Sequence, residues 1–174
     1  MNKILKIVII SVAVLALAFY GFLTFTKSKS PADTASFNQN GLSVQVDYCR
    51  PYKKDRVIFG QLLPYGKVWR TGANEATIFE VKQDVKIADK PLKAGKYTLW
   101  TIPNTDNWTI IFNSQTGQWG TEYDETKDVL RVDVPASKLA ETVEQFKIDF
   151  ASAEGGSDMI LRWENTEVKV PVRL

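Results

Sequence analysis

A chain of 174 residues, 44% apolar and 24% charged, is most simply one globular domain with an appendage. It has no histidine and one cysteine, Cys49, which excludes Ser-His-Asp and Cys-His schemes, a histidine general base and any intramolecular disulfide. Lys3, Lys6, Lys27 and Lys29 precede residue 31, so the formal +2 becomes −2 beyond it (22 less these four leaves 18 basic against 20 acidic side chains), which is no footprint for nucleic acid.

Residues 1–26 read as a membrane anchor or signal segment. Lys3 and Lys6 are followed by an uncharged run over residues 7–25, diluted only by Ser11, Gly21 and Thr24. About 20 apolar residues span a hydrocarbon core of roughly 30 Å. A helix apolar on every face has no stripe with which to dock on a soluble core. Ala16-Leu17-Ala18 offers a small-residue cleavage site, but the run continues through Phe19, Tyr20, Phe22, Leu23 and Phe25. That length favours an uncleaved anchor over a cleaved signal, with the domain facing the periplasm or cell exterior.

Residues 27–40, "KSKSPADTASFNQN", are polar and turn-rich, and are assigned as a flexible tether. From residue 41 to 174 the pattern is that of strands. "LSVQVDY" alternates Leu42, Val44, Val46 and Tyr48 with polar neighbours. "RVIFGQLL" is a short apolar run, "ATIFEVKQDVKIA" contains two more, and Lys96 to Ile102 stops at Pro103. "NWTIIFN" and "DVLRVDV" follow, the second ended by Pro135. "SKLAETV" can begin as a helical turn, "FKIDF" and "MILRW" are strands, and Pro171 marks "EVKVPV" as an edge or terminal strand. About eight or nine short strands predict an all-β fold, an antiparallel sandwich or barrel, preceded by one N-terminal helix.

One stretch stands apart. "PYGKVWRTGANEAT", residues 64–77, places Trp69, Arg70, Asn74 and Glu75 among turn-formers. It reads as a polar cleft, with Arg70 as an anion donor and Glu75 as acceptor, or as a structural corner. In the corner reading Gly72 takes positive φ, Asn74 caps the turn and Arg70 pairs with a carboxylate, Glu75 being nearest in sequence. Trp100, Trp108 and Trp163 lie within apolar strands and are assigned to the core. Trp119 sits in a loop with Tyr123 and Asp124 in the following "TEYDETKD", which makes that loop the second candidate surface. The acidic cluster lacks the spacing of a calcium loop, and neither a metal nor a cofactor is expected.

"YCRPYKKDRVIFGQLLPYGKVWRTGANEATIFE", with "LKAGKYTLWTIPN", "WTIIFN", "GQWGTEYDETKDVLRVDV" and "MILRWENTEVKVPV", resembles the bacterial family of domain of unknown function 2911. The likeness runs in order from Val44 onward. The family pattern is "YSRP" where this chain has "YCRP", which counts against a thiol role for Cys49. The resemblance implies a compact extracytoplasmic β-domain of the cell envelope and implies no activity. The expected function is therefore a membrane-tethered, non-catalytic module that binds an envelope glycan or a protein partner. Its candidate contacts are Trp69, Arg70, Asn74, Glu75, Trp119, Tyr123 and Asp124. The alternatives are a carboxylate-dependent glycan hydrolase using Glu75 and Asp124, and a purely structural envelope module.

Overall fold

The computed structural model describes residues 2–174, apart from the side chains at positions 22, 23, 26 and 27. A single helix, α1 (Lys3–Ser28), leads the chain. Its described apolar side chains are in the open, Leu17 at 71% exposure for instance. The segment Lys3–Gly21 has a mean hydropathy of 2.4 and none of it is buried against the rest of the protein. Twenty-six residues at ~1.5 Å each give about 39 Å, enough to cross a bilayer.

Nine strands follow: β1 (Ala32–Gln39), β2 (Leu42–Cys49), β3 (Thr77–Val81), β4 (Val85–Ile87), β5 (Lys90–Leu92), β6 (Gly95–Pro103), β7 (Asn107–Asn113), β8 (Asp128–Ala153) and β9 (Gly156–Arg173). They form one antiparallel sheet in the order β1-β2-β3-β6-β7-β8-β9-β4-β5. The all-β expectation and the N-terminal helix both hold.

Three local readings are corrected. Residues 27–40 are not one polar stretch without structure: only 29–31 lie between α1 and β1, and β1 pairs with β2 along its whole length, from Ala32↔Cys49 to Gln39↔Leu42. Ala35 and Phe37 bury alternate side chains, and Asn40 and Gly41 (φ 53° and 82°) make the two-residue primed turn that matches strand twist. "RVIFGQLL" is not a strand. Ile58 and Phe59 turn inward and Val57 and Leu62 outward around Gly60 at φ 88°, while the Glu164 carboxylate accepts from the N–H groups of Ile58 (3.2 Å) and Phe59 (3.4 Å). "SKLAETV" is not helical either, because β8 runs on past Pro135.

Pro135 is tolerated because β8 changes partners there. It pairs with β7 up to Asn107↔Pro135 and with β9 from Ala136↔Val168, so the missing N–H falls at the crossing between the two halves of the sheet. Register slips between Lys138, Val143 and Lys147 then bow the strand outward. The chain after β2 fills that bow. Lys53 N–H donates to Glu144 O (2.6 Å), Phe146 N–H to Pro51 O (3.0 Å), and Tyr52 bridges Gln145.

The sheet folds over one core that joins both halves. Phe79 meets Phe112 edge-on at 4.9 Å, and Trp108, Phe146, Met159 and Val170 are buried in the same cluster. Tyr48 fastens the closure: its hydroxyl accepts from Ile148 N–H (2.9 Å) and donates to Ile148 O (3.3 Å), so a side chain stands in for a ladder rung. Trp100, Ile111 and Ala76 make a smaller cluster.

Candidate functional site

The 64–77 segment is held by its tryptophan. Trp69 exchanges backbone hydrogen bonds with Thr101 of β6 (2.7 and 2.9 Å), and its indole enters the core. There it stacks on Trp163 (5.7 Å, 21°) and meets Phe146 and Trp108 edge-on at 5.0 and 6.1 Å. The indole N–H donates back to Gly72 O at 3.1 Å. This anchors both ends of the reversal that follows.

The left-handed residues in that reversal are Thr71 (φ 52°) and Asn74 (φ 60°), not Gly72 as the sequence suggests. Asn74 accepts that conformation readily, whereas a β-branched residue does not. Thr71 is held there by full burial, by hydroxyl contacts to Trp69 O and Thr101 Oγ1, and by Thr77 Oγ1 donating to its carbonyl at 2.9 Å. Gly72 is required for space, since a Cβ would lie 3.0 Å from Cys49 O and from Thr77 Oγ1.

Arg70 lacks the carboxylate expected of it. Among the described residues its one hydrogen bond is a long one, 3.4 Å, to Asn74 O. Burial of the half-exposed guanidinium pulls its pKa below the usual arginine value. Its stem packs on Gly120, where a Cβ would come within 2.5 Å of Arg70 Cδ.

Trp69, Arg70 and Asn74 line a pocket of about 440 Å³. Three further cations, Lys29, Lys54 and Arg56, line it too, and among the described residues the lining includes no aspartate or glutamate. Among the described residues none of the four cations is in an ion pair, whereas Arg131, Arg162 and Arg173 all are. Arg56 spends its guanidinium on the carbonyls of Lys53 (3.0 Å) and Tyr52, and the Lys29 ammonium lies 4.7 Å from the Phe25 ring centre. The chain connecting α1 to β1 is fixed at the same place. Asn74 Nδ2 donates to Ser30 O (3.4 Å) and Arg50 N–H to Pro31 O (2.8 Å).

The other candidate residues lie apart from this pocket. Glu75 faces a second groove of about 340 Å³ with Asp33, Asp47 and Cys49, and the Cys49 thiol points at its Oε2 from 3.7 Å. Asp124 lines neither groove. It caps the short 3-10 turn Glu125–Lys127, accepting from Thr126 N–H and Oγ1, and those bonds hold its carboxyl below the usual range. Tyr123 packs on Trp100 at 5.0 Å and donates to Asp128 at 2.6 Å, while Arg131 donates to the Tyr123 oxygen at 2.8 Å. Burial first, then that bond to Asp128, raises the phenol pKa well above normal. Trp119 is 41% exposed, as the sequence suggests, and bridges Glu75 through its backbone. The two candidate loops therefore touch, through that bridge and Gly120 N–H donating to Asn74 O (3.1 Å), but their functional side chains do not converge.

Sequence reasoning misses Lys29, Lys54, Arg56 and Trp163. Only "YKKDR", three cations around one aspartate, carries a local signal.

The family described as protein of unknown function DUF2911 matches residues 30–172. The chain belongs to this family. The DUF2911 match begins at the chain's connector and takes in β1, in agreement with a domain that starts before residue 41. No curated protein and no solved structure matches the chain.

Proposed function

We propose that this DUF2911 protein is a membrane-anchored domain displayed outside the cytoplasm, and that it binds an anionic group of a cell-envelope component without catalysing a reaction. One observation carries this reading: among the described residues, four cations and no carboxylate line a single pocket, in a domain whose net charge is otherwise negative. Cations brought together repel one another, and the Glu144 carboxylate that accepts from Lys54 N–H (2.7 Å) lies outside the pocket lining, so an anion is favoured there. The exposed apolar lining from Tyr52 and Leu62 suits a ligand with an apolar face beside its charge.

Titration of the detergent-solubilised full chain tests the pocket. Glycerol 3-phosphate and an acidic oligosaccharide are expected to bind saturably and to be recovered unchanged, and a neutral oligosaccharide is not. Arg70→Met keeps the stem packed on Gly120 and removes the charge, so affinity should fall about tenfold, the ~1.4 kcal/mol scale of one charged hydrogen bond, with the melting temperature little changed. Equal binding by Arg70→Met, or turnover of either ligand, counts against the reading.

Retention of the helix is a separate expectation. Intact-mass measurement of membrane-extracted protein should include residues 1–18. A mature amino terminus at Phe19 contradicts the anchor.

A further inference from the structure

The segment between β2 and Trp69 exposes apolar side chains in an unusual concentration. Tyr52, Val57, Leu62, Tyr65 and Val68 are each between 37 and 46% exposed. Lys53, Lys54, Arg56 and Lys67 are interleaved with them, against the single acid Asp55. Tyr52, Leu62, Lys54 and Arg56 also line the cationic pocket, so apolar and charged side chains of this segment meet there, while Tyr65 lines a separate groove with Glu164. Aromatic and aliphatic side chains mixed with lysine and arginine are the composition of a surface that seats at a bilayer interface.

The position of α1 adds a second argument. Helix α1 ends at Ser28 and β1 begins at Ala32, and Lys29 and Ser30 themselves line the pocket. Three connecting residues reach at most about 10 Å, and their end is hydrogen-bonded to Asn74 and Arg50. A domain tied this closely cannot lift its pocket far from the membrane that holds α1.

Resting on the anchor and pocket readings above, we infer that the segment 52–68 lies on the outer surface of the protein's own membrane, and that the pocket takes the phosphate of an anionic phospholipid headgroup. Charge complementarity selects the lipid: Lys29, Lys54 and Arg70 receive the phosphate with the Arg56 charge beside them, while Val57 and Leu62 reach the acyl boundary. Basic groups near an anionic leaflet are attracted within about a Debye length, and the short connector keeps these close to the end of α1.

The test uses the full chain in nanodiscs, with spin labels placed singly at residues 57 and 62 in a Cys49→Ser background and at Val129 as an exposed control. Collision with lipid-soluble oxygen against a water-soluble nickel chelate reports the surroundings. In discs of phosphatidylcholine with one-third phosphatidylglycerol, labels at 57 and 62 should be lipid-contacting and the Val129 label aqueous. That contact should be lost in pure phosphatidylcholine and in the Lys54→Glu, Arg56→Glu double variant. Aqueous labels at 57 and 62 in both discs overturn the inference. If glycerol 3-phosphate still binds the solubilised chain in that case, the anion pocket stands and only the lipid assignment falls. If it does not, both fall.

Discussion

Trp69→Ala should unfold the protein at a temperature roughly 10 °C or more below the parent. Trp69 is 6% exposed and sits among Trp163, Phe146 and Trp108. Truncating a buried aromatic costs about 3–5 kcal/mol in lost transfer energy and residual cavity, against a total stability of about 5–15 kcal/mol for a domain. Collapse around the void is opposed by the pair of hydrogen bonds that fixes Trp69 to Thr101. Trp69→Phe separates packing from bonding. It keeps most of the apolar contact but leaves Gly72 O without the indole N–H, and should cost about 1–2 kcal/mol. Denaturant melts of both variants check the ranking. A Trp69→Ala midpoint within error of the parent would mean that the indole is not part of the core.

The second large effect is alkaline. Burial, more than any other cause, pushes Tyr48 from 10.0 up to about 12. The folded protein therefore holds the phenolic proton more tightly than the unfolded chain does. This contribution is fully present below pH 10, falls as pH rises past it, and is spent by about pH 12. A shift of that size corresponds to about 2–3 kcal/mol. Tyr48→Phe should remove this pH dependence and cost about 1–3 kcal/mol near neutrality, because Ile148 N–H and C=O both lose their partner. Other tyrosines and the lysines also titrate in this range, so the informative quantity is the difference between parent and Tyr48→Phe from pH 8 to 12. Parallel stability curves would show that Tyr48 is not the alkaline switch.

How far the sequence announces this structure depends on where each signal is written. Strand β2 is legible because Leu42, Val44, Val46 and Tyr48 alternate and all four are buried. Strand β1 is hidden because only Ala35 and Phe37 face the core, although Asn40-Gly41 is a strong hairpin signal. "RVIFGQLL" misleads because its apolar residues divide between the core and the exposed rim, a division set by tertiary context rather than by period. Pro135 reads as a stop because a sequence does not show that a strand can change neighbours at its proline. The tryptophan–arginine loop can be recognised from its turn residues, and three of its four candidate side chains do meet at one pocket. The cations that complete it come from residues 29, 54 and 56. Only the bow in β8 and the connector to α1 bring them together, so beyond the run "YKKDR" no local pattern records them.

The pairing of β4 with the last strand also governs the order of assembly. Lys86 and Ile87 find their partners in Arg173 and Val172, at the far end of the chain. Hairpins β1–β2 and β6–β7 can form as they appear, since their strands are neighbours in sequence. The β4–β5 hairpin has only itself until β9 arrives. Long-range pairing of this kind slows folding and leaves strand edges exposed meanwhile. During synthesis the half-made domain therefore carries an open edge until its final residues emerge. A ribosome stalled short of Val172 should hold a chain that is protease-sensitive at β4 and β5, beside the β1–β2 and β6–β7 hairpins that already resist.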